Sequence, residues 1–166
     1  MPSDALDADY FSPDIRDFIT LLHRHQVRYM VVGGEAVIYY GHARLTGDID
    51  FFYDRSPANC TALFQALKEF WSGHIPALAS ADELQEAGLI VQFGVPPNRI
   101  DLLNQIDGVE FAQAWQRRLT LALQTPDGPV SLHYLGVADL IRNKEAAARP
   151  KDLEDLEFLR KLPKPE

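Results

Sequence analysis

Three acidic residues set among apolar, strand-forming neighbours are the first candidates for chemistry. Asp48 and Asp50 flank Ile49 and run directly into Phe51-Phe52-Tyr53. In a strand, residues two apart project to the same face, about 6–7 Å apart along the backbone. The two carboxylates therefore share a face while Ile49 turns toward the core. Paired acids at the start of an embedded strand repel each other unless a cation or a base compensates, and such a pair can clamp hard divalent ions. Asp101 lies in a second apolar run, Arg99-Ile100-Asp101-Leu102-Leu103, after a proline-rich turn. If that strand lies beside the first, Asp101 completes a three-carboxylate cluster. Upstream, Gly33-Gly34 stand between the β-rich run Arg28–Val32 and an apolar segment, Glu35 to Tyr40, that reads as a short helix. Two glycines permit a tight turn and let an anion approach the backbone amides, with a helix's positive end behind them. Acids suited to Mg²⁺ beside a turn suited to phosphate point to two-metal phosphoryl or nucleotidyl chemistry.

The elements that must position these residues follow from punctuation and periodicity. Ser12-Pro13-Asp14 is a helix start, with a hydroxyl cap, proline at the first helical position and an acid near the dipole's positive end. Ile15, Phe18, Ile19 and Leu22 continue it as an apolar stripe to about Gln26. Strands are expected at Arg28–Val32, Asp48–Tyr53, Gly88–Phe93, Arg99–Asn104, Leu119–Gln124 and Val130–Tyr134, the last two as a hairpin around Pro126-Asp127-Gly128-Pro129. Further helices are expected at Pro57–Phe70, Val109–Gln116, Val137–Ala148 and Lys151–Leu162, with one short helix at Ala81–Gln85 in the looser stretch Trp71–Glu86. The first dozen residues and the final Pro-Lys-Pro-Glu are expected to fray. Strands joined by short turns, with helices gathered at the ends, predict an α+β protein with a short mixed sheet and a helical C-terminal part. A doubly wound parallel sheet would need a regular alternation that this order lacks. One domain is expected over residues 1–166, its core about 12–135 and its C-terminal helices about 136–162.

Composition narrows the partners. The chain has 166 residues, 16 basic and 24 acidic side chains and a net charge of −8, which argues against a broad electrostatic grip on nucleic acid or an anionic membrane. A local basic patch or an acidic pocket filled by metal ions is compatible with that balance. A single cysteine, Cys60, rules out an internal disulfide and any cysteine-based zinc cluster. His23 and His25, two apart on a helix, cannot share a face and are poor metal ligands. The N-terminal sequence has neither the basic nor the apolar region of a signal peptide, and no apolar run approaches a membrane span. A cytoplasmic protein is expected.

Gly33-Gly34, then Asp48-Ile49-Asp50 and a later strand aspartate at Asp101, resemble the nucleotidyltransferase superfamily, the fold group of DNA polymerase beta and of the aminoglycoside and minimal nucleotidyltransferases. The C-terminal stretch Leu140-Ile141-Arg142-Asn143-Lys144 through Arg149-Pro150-Lys151-Asp152-Leu153-Glu154-Asp155 is similar to the helical tail of the abortive-infection (type IV toxin) nucleotidyltransferases. The resemblance implies a nucleotidyltransferase-like fold that moves a nucleoside monophosphate from an NTP to a hydroxyl of a small molecule, protein or RNA. It implies that Asp48, Asp50 and Asp101 hold two Mg²⁺ ions, with Asp101 also activating the acceptor. Gly33, Gly34, Arg44, Thr46, Lys144 and Lys151 would then serve the nucleotide. It also raises a cognate toxin or antitoxin as partner. Long nucleic acid is not expected on so acidic a chain, although transfer RNA stays open.

Arg44 has two readings, reaching a phosphate or bracing Asp48. Asp155 is read as a helix-dipole partner. One residue departs from the family's pattern: Glu35 follows the glycine pair where serine or threonine is usual. A carboxylate there would oppose a triphosphate unless it turns away or binds metal, and this leaves an alternative, a catalytically inactive binding or regulatory protein.

Overall fold

A computed structural model describes residues 4–163. Their elements are β1 (Ala5–Leu6), α1 (Pro13–Arg24), β2 (Tyr29–Val32), α2 (Gly33–Tyr39), β3 (Asp48–Tyr53), α3 (Pro57–Phe70), a 3-10 turn (Ala81–Gln85), β4 (Ile90–Phe93), β5 (Arg99–Leu103), α4 (Phe111–Gln116), β6 (Leu119–Leu123), β7 (Val130–Tyr134), α5 (Val137–Ala147) and α6 (Pro150–Leu159). The strands form one sheet in the order β1-β6-β7-β2-β3-β5-β4. β3 runs parallel to β5 and β2 parallel to β7, while β2–β3, β4–β5 and β6–β7 are antiparallel. The α+β class and the mixed sheet expected from sequence are both present.

Local rules explain most boundaries. The Ser12 hydroxyl accepts a hydrogen bond from the Ile15 amide at 3.4 Å, and Ile15, Phe18, Ile19 and Leu22 bury the apolar face of α1. That face packs on α3 and β7, with Phe18 meeting the Phe51 ring edge-on at 5.2 Å. All four residues of β2 are buried, as a central strand requires. α2 begins at Gly33, two residues before the sequence suggests, because Gly33 itself takes the turn with φ +68°.

Register positions the site. Val32 pairs with Asp50 across β2–β3, and Asp50 pairs with Asp101 across β3–β5. The glycine turn and two of the acids thus sit on neighbouring strands at one end of the sheet.

The expectation that the first dozen residues fray is corrected. Ala5–Leu6 adds a strand beside Ala122–Leu123, Leu6 and Phe11 enter the core, and Arg16 donates to the Ala8 carbonyl at 2.9 Å. A two-residue strand has no periodicity to read, and its acidic neighbours Asp4, Asp7 and Asp9 disguise it. Residues 1–3 of that segment, and Lys164–Glu166 of the proposed tail, lie outside the described residues. Among the described residues, no helix is long and apolar enough to cross a membrane.

Glu35 is buried behind α2, where Tyr10 and Tyr134 donate hydroxyl hydrogen bonds to its carboxylate at 3.0 and 3.3 Å. Burial pushes its pKa up from 4.5 to about 7, against the lowering effect of the two tyrosines. Between those values the folded chain keeps a proton that the unfolded chain has lost, so stability falls as pH rises through this window. Glu35→Gln keeps an acceptor and removes the titration. Chemical denaturation from pH 4.5 to 8 should show the variant gaining on the wild type by about 2–3 kcal/mol across the range. A constant difference would contradict the burial of this carboxyl.

Candidate active site

β3 and β5 place four charged side chains in a two-by-two array. Asp50 lies opposite Asp101 and Asp48 opposite Arg99. One carboxylate oxygen from each of Asp48, Asp50 and Asp101 falls within 4.8 Å of the others, so the three acids expected to cluster do so. Ile49, between the first two, is buried on the other face.

Arg99 occupies the fourth corner. Its guanidinium donates to Asp48 Oδ2 at 2.6 Å and to Asp101 Oδ1 and Oδ2 at 2.9 and 3.1 Å. Its spacing of two from Asp101 puts both side chains on one face of the strand, but nothing within the strand names Asp48 as its partner. Thr46 donates to Asp48 Oδ1 at 3.0 Å, and Gln92 to Asp101 Oδ2 at 3.4 Å. Burial, then the charges of Asp48 and Asp101, push the Asp50 carboxyl up to about 7. Arg99 offsets this only in part.

Fit to a divalent cation rests on this array and on Gly33. A Cβ at residue 33 would overlap Asp50 Oδ2, so the turn leaves room only for the carboxylate. Three convergent carboxylates of raised mutual repulsion match an oxygen-seeking ion. The donor set is therefore suited to a hard divalent cation.

A cavity of about 530 Å³ opens over the acids. Gly33, Gly34, Arg44, Thr46, Lys144 and Lys151 all line it, together with Arg99, Arg149 and Pro96. The structure thus brings together every residue expected from the sequence. Gly34 makes room for the loop: a Cβ there would lie 2.8 Å from Arg44 Nη2 and 3.0 Å from Thr46 Oγ1. Glu35 does not line the cavity, since its carboxylate is turned to Tyr10 and Tyr134. Tyr39 and Tyr40 serve packing, Tyr39 stacked on Tyr134 and Tyr40 donating to the Leu135 carbonyl.

The C-terminal helices close the cavity through a buried ion network. Lys144 Nζ, on α5, contacts Asp152 Oδ1 at 3.0 Å and Asp155 Oδ2 at 3.1 Å on α6. Arg149 contacts Asp152 Oδ2 at 2.7 Å, and Arg44 Nε reaches Asp155 Oδ1 at 3.3 Å. Burial opposes the charge on Asp152, but hydrogen bonds from Arg149 and Lys144 outweigh it and hold the carboxyl down at about 2. Two readings change accordingly. Asp155 lies past the first turn of α6, buried and paired, and is not a helix-dipole partner. Arg44 braces Asp155 rather than Asp48. Tertiary pairing of this kind leaves no trace in the spacing within one helix.

The mixed sheet and the carboxylate triad are of the kind found in the nucleotidyltransferase superfamily. The chain belongs to the family described as "nucleotidyltransferase of unknown function (DUF6036)", whose model matches residues 13–159. No curated protein matches the sequence.

Two sets of variants test the electrostatics. In EDTA at pH 8, Asp50→Asn removes the repelled carboxylate and should stabilise the protein by about 1–2 kcal/mol, raising Tm by roughly 3–8 °C, whereas Arg99→Gln should lower Tm. Millimolar Mg²⁺ should restore the Arg99→Gln protein toward the wild type and leave Asp50→Asn unmoved; scanning calorimetry with and without Mg²⁺ reads both. Lys144→Met removes the one buried cation between two buried acids, leaving Arg149 on Asp152 and Arg44 on Asp155, and should cost about 2–4 kcal/mol in urea denaturation. A loss below about 1 kcal/mol would place Lys144 outside any network that holds α6.

Proposed function

We propose that this protein transfers a nucleoside monophosphate from an NTP to a hydroxyl group and releases pyrophosphate. One observation carries the reading: a single cavity is lined by three clustered carboxylates and by five cationic side chains, in a chain of net charge −8. The acids suit divalent ions, and the cations, Arg44, Arg99, Lys144, Arg149 and Lys151, suit a polyanion. A metal-bound triphosphate satisfies both.

Asp48, Asp50 and Asp101 would hold two Mg²⁺ ions, which when bound offset the carboxylates' charge and polarise the phosphates. The backbone at Gly33-Gly34, the first residues of α2, receives phosphate oxygens. Thr46 orients Asp48 through its hydrogen bond. Lys151, exposed at the rim, meets the triphosphate directly. Lys144, held by two acids, contributes mainly through its field. Asp101 takes the proton of the acceptor hydroxyl, whose oxygen forms a bond to the α-phosphorus as the bond to pyrophosphate breaks. Arg99 keeps the Asp101 carboxylate oriented for that transfer. Glu35, the residue that motivates a catalytically silent reading, faces away from the cavity, so the active reading is preferred.

Titration calorimetry with each of the four NTPs, with and without Mg²⁺, is the direct test. Binding of at least one NTP should require Mg²⁺ and weaken at least tenfold in the Asp48→Asn/Asp50→Asn protein. Lys151→Ala should weaken it several-fold, less so at high salt. A folded wild-type protein that binds no NTP at millimolar concentration refutes the transferase.

A further inference from the structure

The lining of the cavity over the acids bears on the base of a nucleotide as well as on its phosphates. Leu45 and Pro96 supply the apolar side chains of that lining; glycines, Thr46 and charged groups make up the rest. Most of the polar groups are already engaged. Thr46 donates to Asp48, Arg44 lies against Asp155, Arg99 joins Asp48 to Asp101, and Lys144 and Arg149 both meet Asp152. Tyr39 and Tyr40, at the end of α2, are turned to Tyr134 and to the Leu135 carbonyl. Telling one base from another takes directed hydrogen bonds to its edge. Aliphatic carbon offers contact without direction.

Leu45 is the more unusual of the two apolar residues. It is 96% exposed, the highest value among the exposed large hydrophobic residues described, yet its loop is held on both sides of it. Arg44 before it reaches α6, and Thr46 after it is bonded to the strand that carries the acids. Gly34 makes room for both of those side chains. Pro96 packs on the same loop at Gly47, where a Cβ would come to 2.9 Å. Leu45 is thus kept at the edge of the cavity by its neighbours' contacts and not by burial of its own side chain. Taking such a side chain out of water is favourable, and every base has a flat face that can cover it.

We infer that Leu45, with Pro96, is the surface on which the nucleotide's base rests, and that the site selects its donor by the metal-bound triphosphate rather than by the base. The inference rests on the proposed nucleotidyl transfer and adds the class of donor, which is any of the four ribonucleoside triphosphates. Grip on the phosphates and contact with the base are then separable. The first belongs to the acids with their ions and to the cations, the second to aliphatic side chains at the rim.

Calorimetry in Mg²⁺ compares the four NTPs with inorganic tripolyphosphate, which carries the charged chain without a base. The NTPs should bind within about threefold of one another, and all of them more tightly than tripolyphosphate. Leu45→Ser, a change on an exposed side chain, should weaken every NTP by about fivefold and leave tripolyphosphate within about twofold of the wild type, while Leu45→Met retains NTP binding. The inference is overturned, with the transferase left standing, by one NTP bound more than about tenfold tighter than the other three. It is overturned in the same way if the Leu45→Ser protein holds NTPs as the wild type does, or loses tripolyphosphate in equal measure. A folded wild-type protein that binds no NTP refutes the transferase itself, and the base surface with it.

Discussion

Three carboxylates converging at the end of two parallel strands are the constraint around which this molecule is arranged. Placed on one face of β3 and β5 with Asp50 opposite Asp101, they repel one another in a partly dry setting where water screens little. Arg99 makes the arrangement tolerable without an ion. Its guanidinium is a rigid fork that spans Asp48 and Asp101, a geometry a lysine could not supply. It does not reach Asp50, whose carboxyl is pushed up to about 7 by burial and by the charges of Asp48 and Asp101. The cluster is thus a stored electrostatic cost, maintained because the strands on either side fix its register. β3 has two interior neighbours, β2 and β5, and Phe51, Phe52 and Tyr53 anchor it in the core.

The surroundings are cut to fit that cluster. Gly33 has positive φ and lacks the side chain that would collide with Asp50. Gly34 admits Arg44 and Thr46, and Gly47 admits Pro96, where a Cβ would come to 2.9 Å. Successive small residues therefore let one loop fold down over the acids. Thr46 uses that approach to hold Asp48, and Arg44 uses it to reach Asp155 on α6. The loop is tied at both ends, to the strand that carries the acids and to the helix that closes the cavity.

What the sequence made legible follows from the range of the interactions involved. β3, α3, β7 and the 3-10 turn were readable to their end residues, because alternation, proline caps and tight turns are local signals. The triad was readable because two of its members share a strand and the third repeats the pattern of an acid amid apolar residues. Arg99 was overlooked although its position was known, since an arginine's partner lies across the sheet and only the register names it. β1 was missed because it is two residues long and exists through its pairing with β6. The direction of Glu35 was not readable either: its tyrosine partners lie 25 and 99 residues away in sequence. A carboxylate beside a glycine turn reads as an obstacle to phosphate until the helix phase shows it buried on the opposite side.

Lys144 shows how a residue's type can be read correctly and its part in the structure still depend on folding. Lys144 lines the cavity, yet its ammonium is 3.0 and 3.1 Å from two buried acids. Breaking such a buried pairing is costly because the remaining charges have no water to turn to. The same contacts that hold α6 against α5 therefore keep Arg149 and Lys151, at the start of α6, on the rim of the cavity. The ion pairs that join α6 to α5 and to the loop before β3 are thus the same ones that place Arg44, Lys144 and Arg149 along the cavity. Of the five cations lining the cavity, Arg44, Arg99, Lys144 and Arg149 are each held by an acid, and Lys151 stands exposed at the rim.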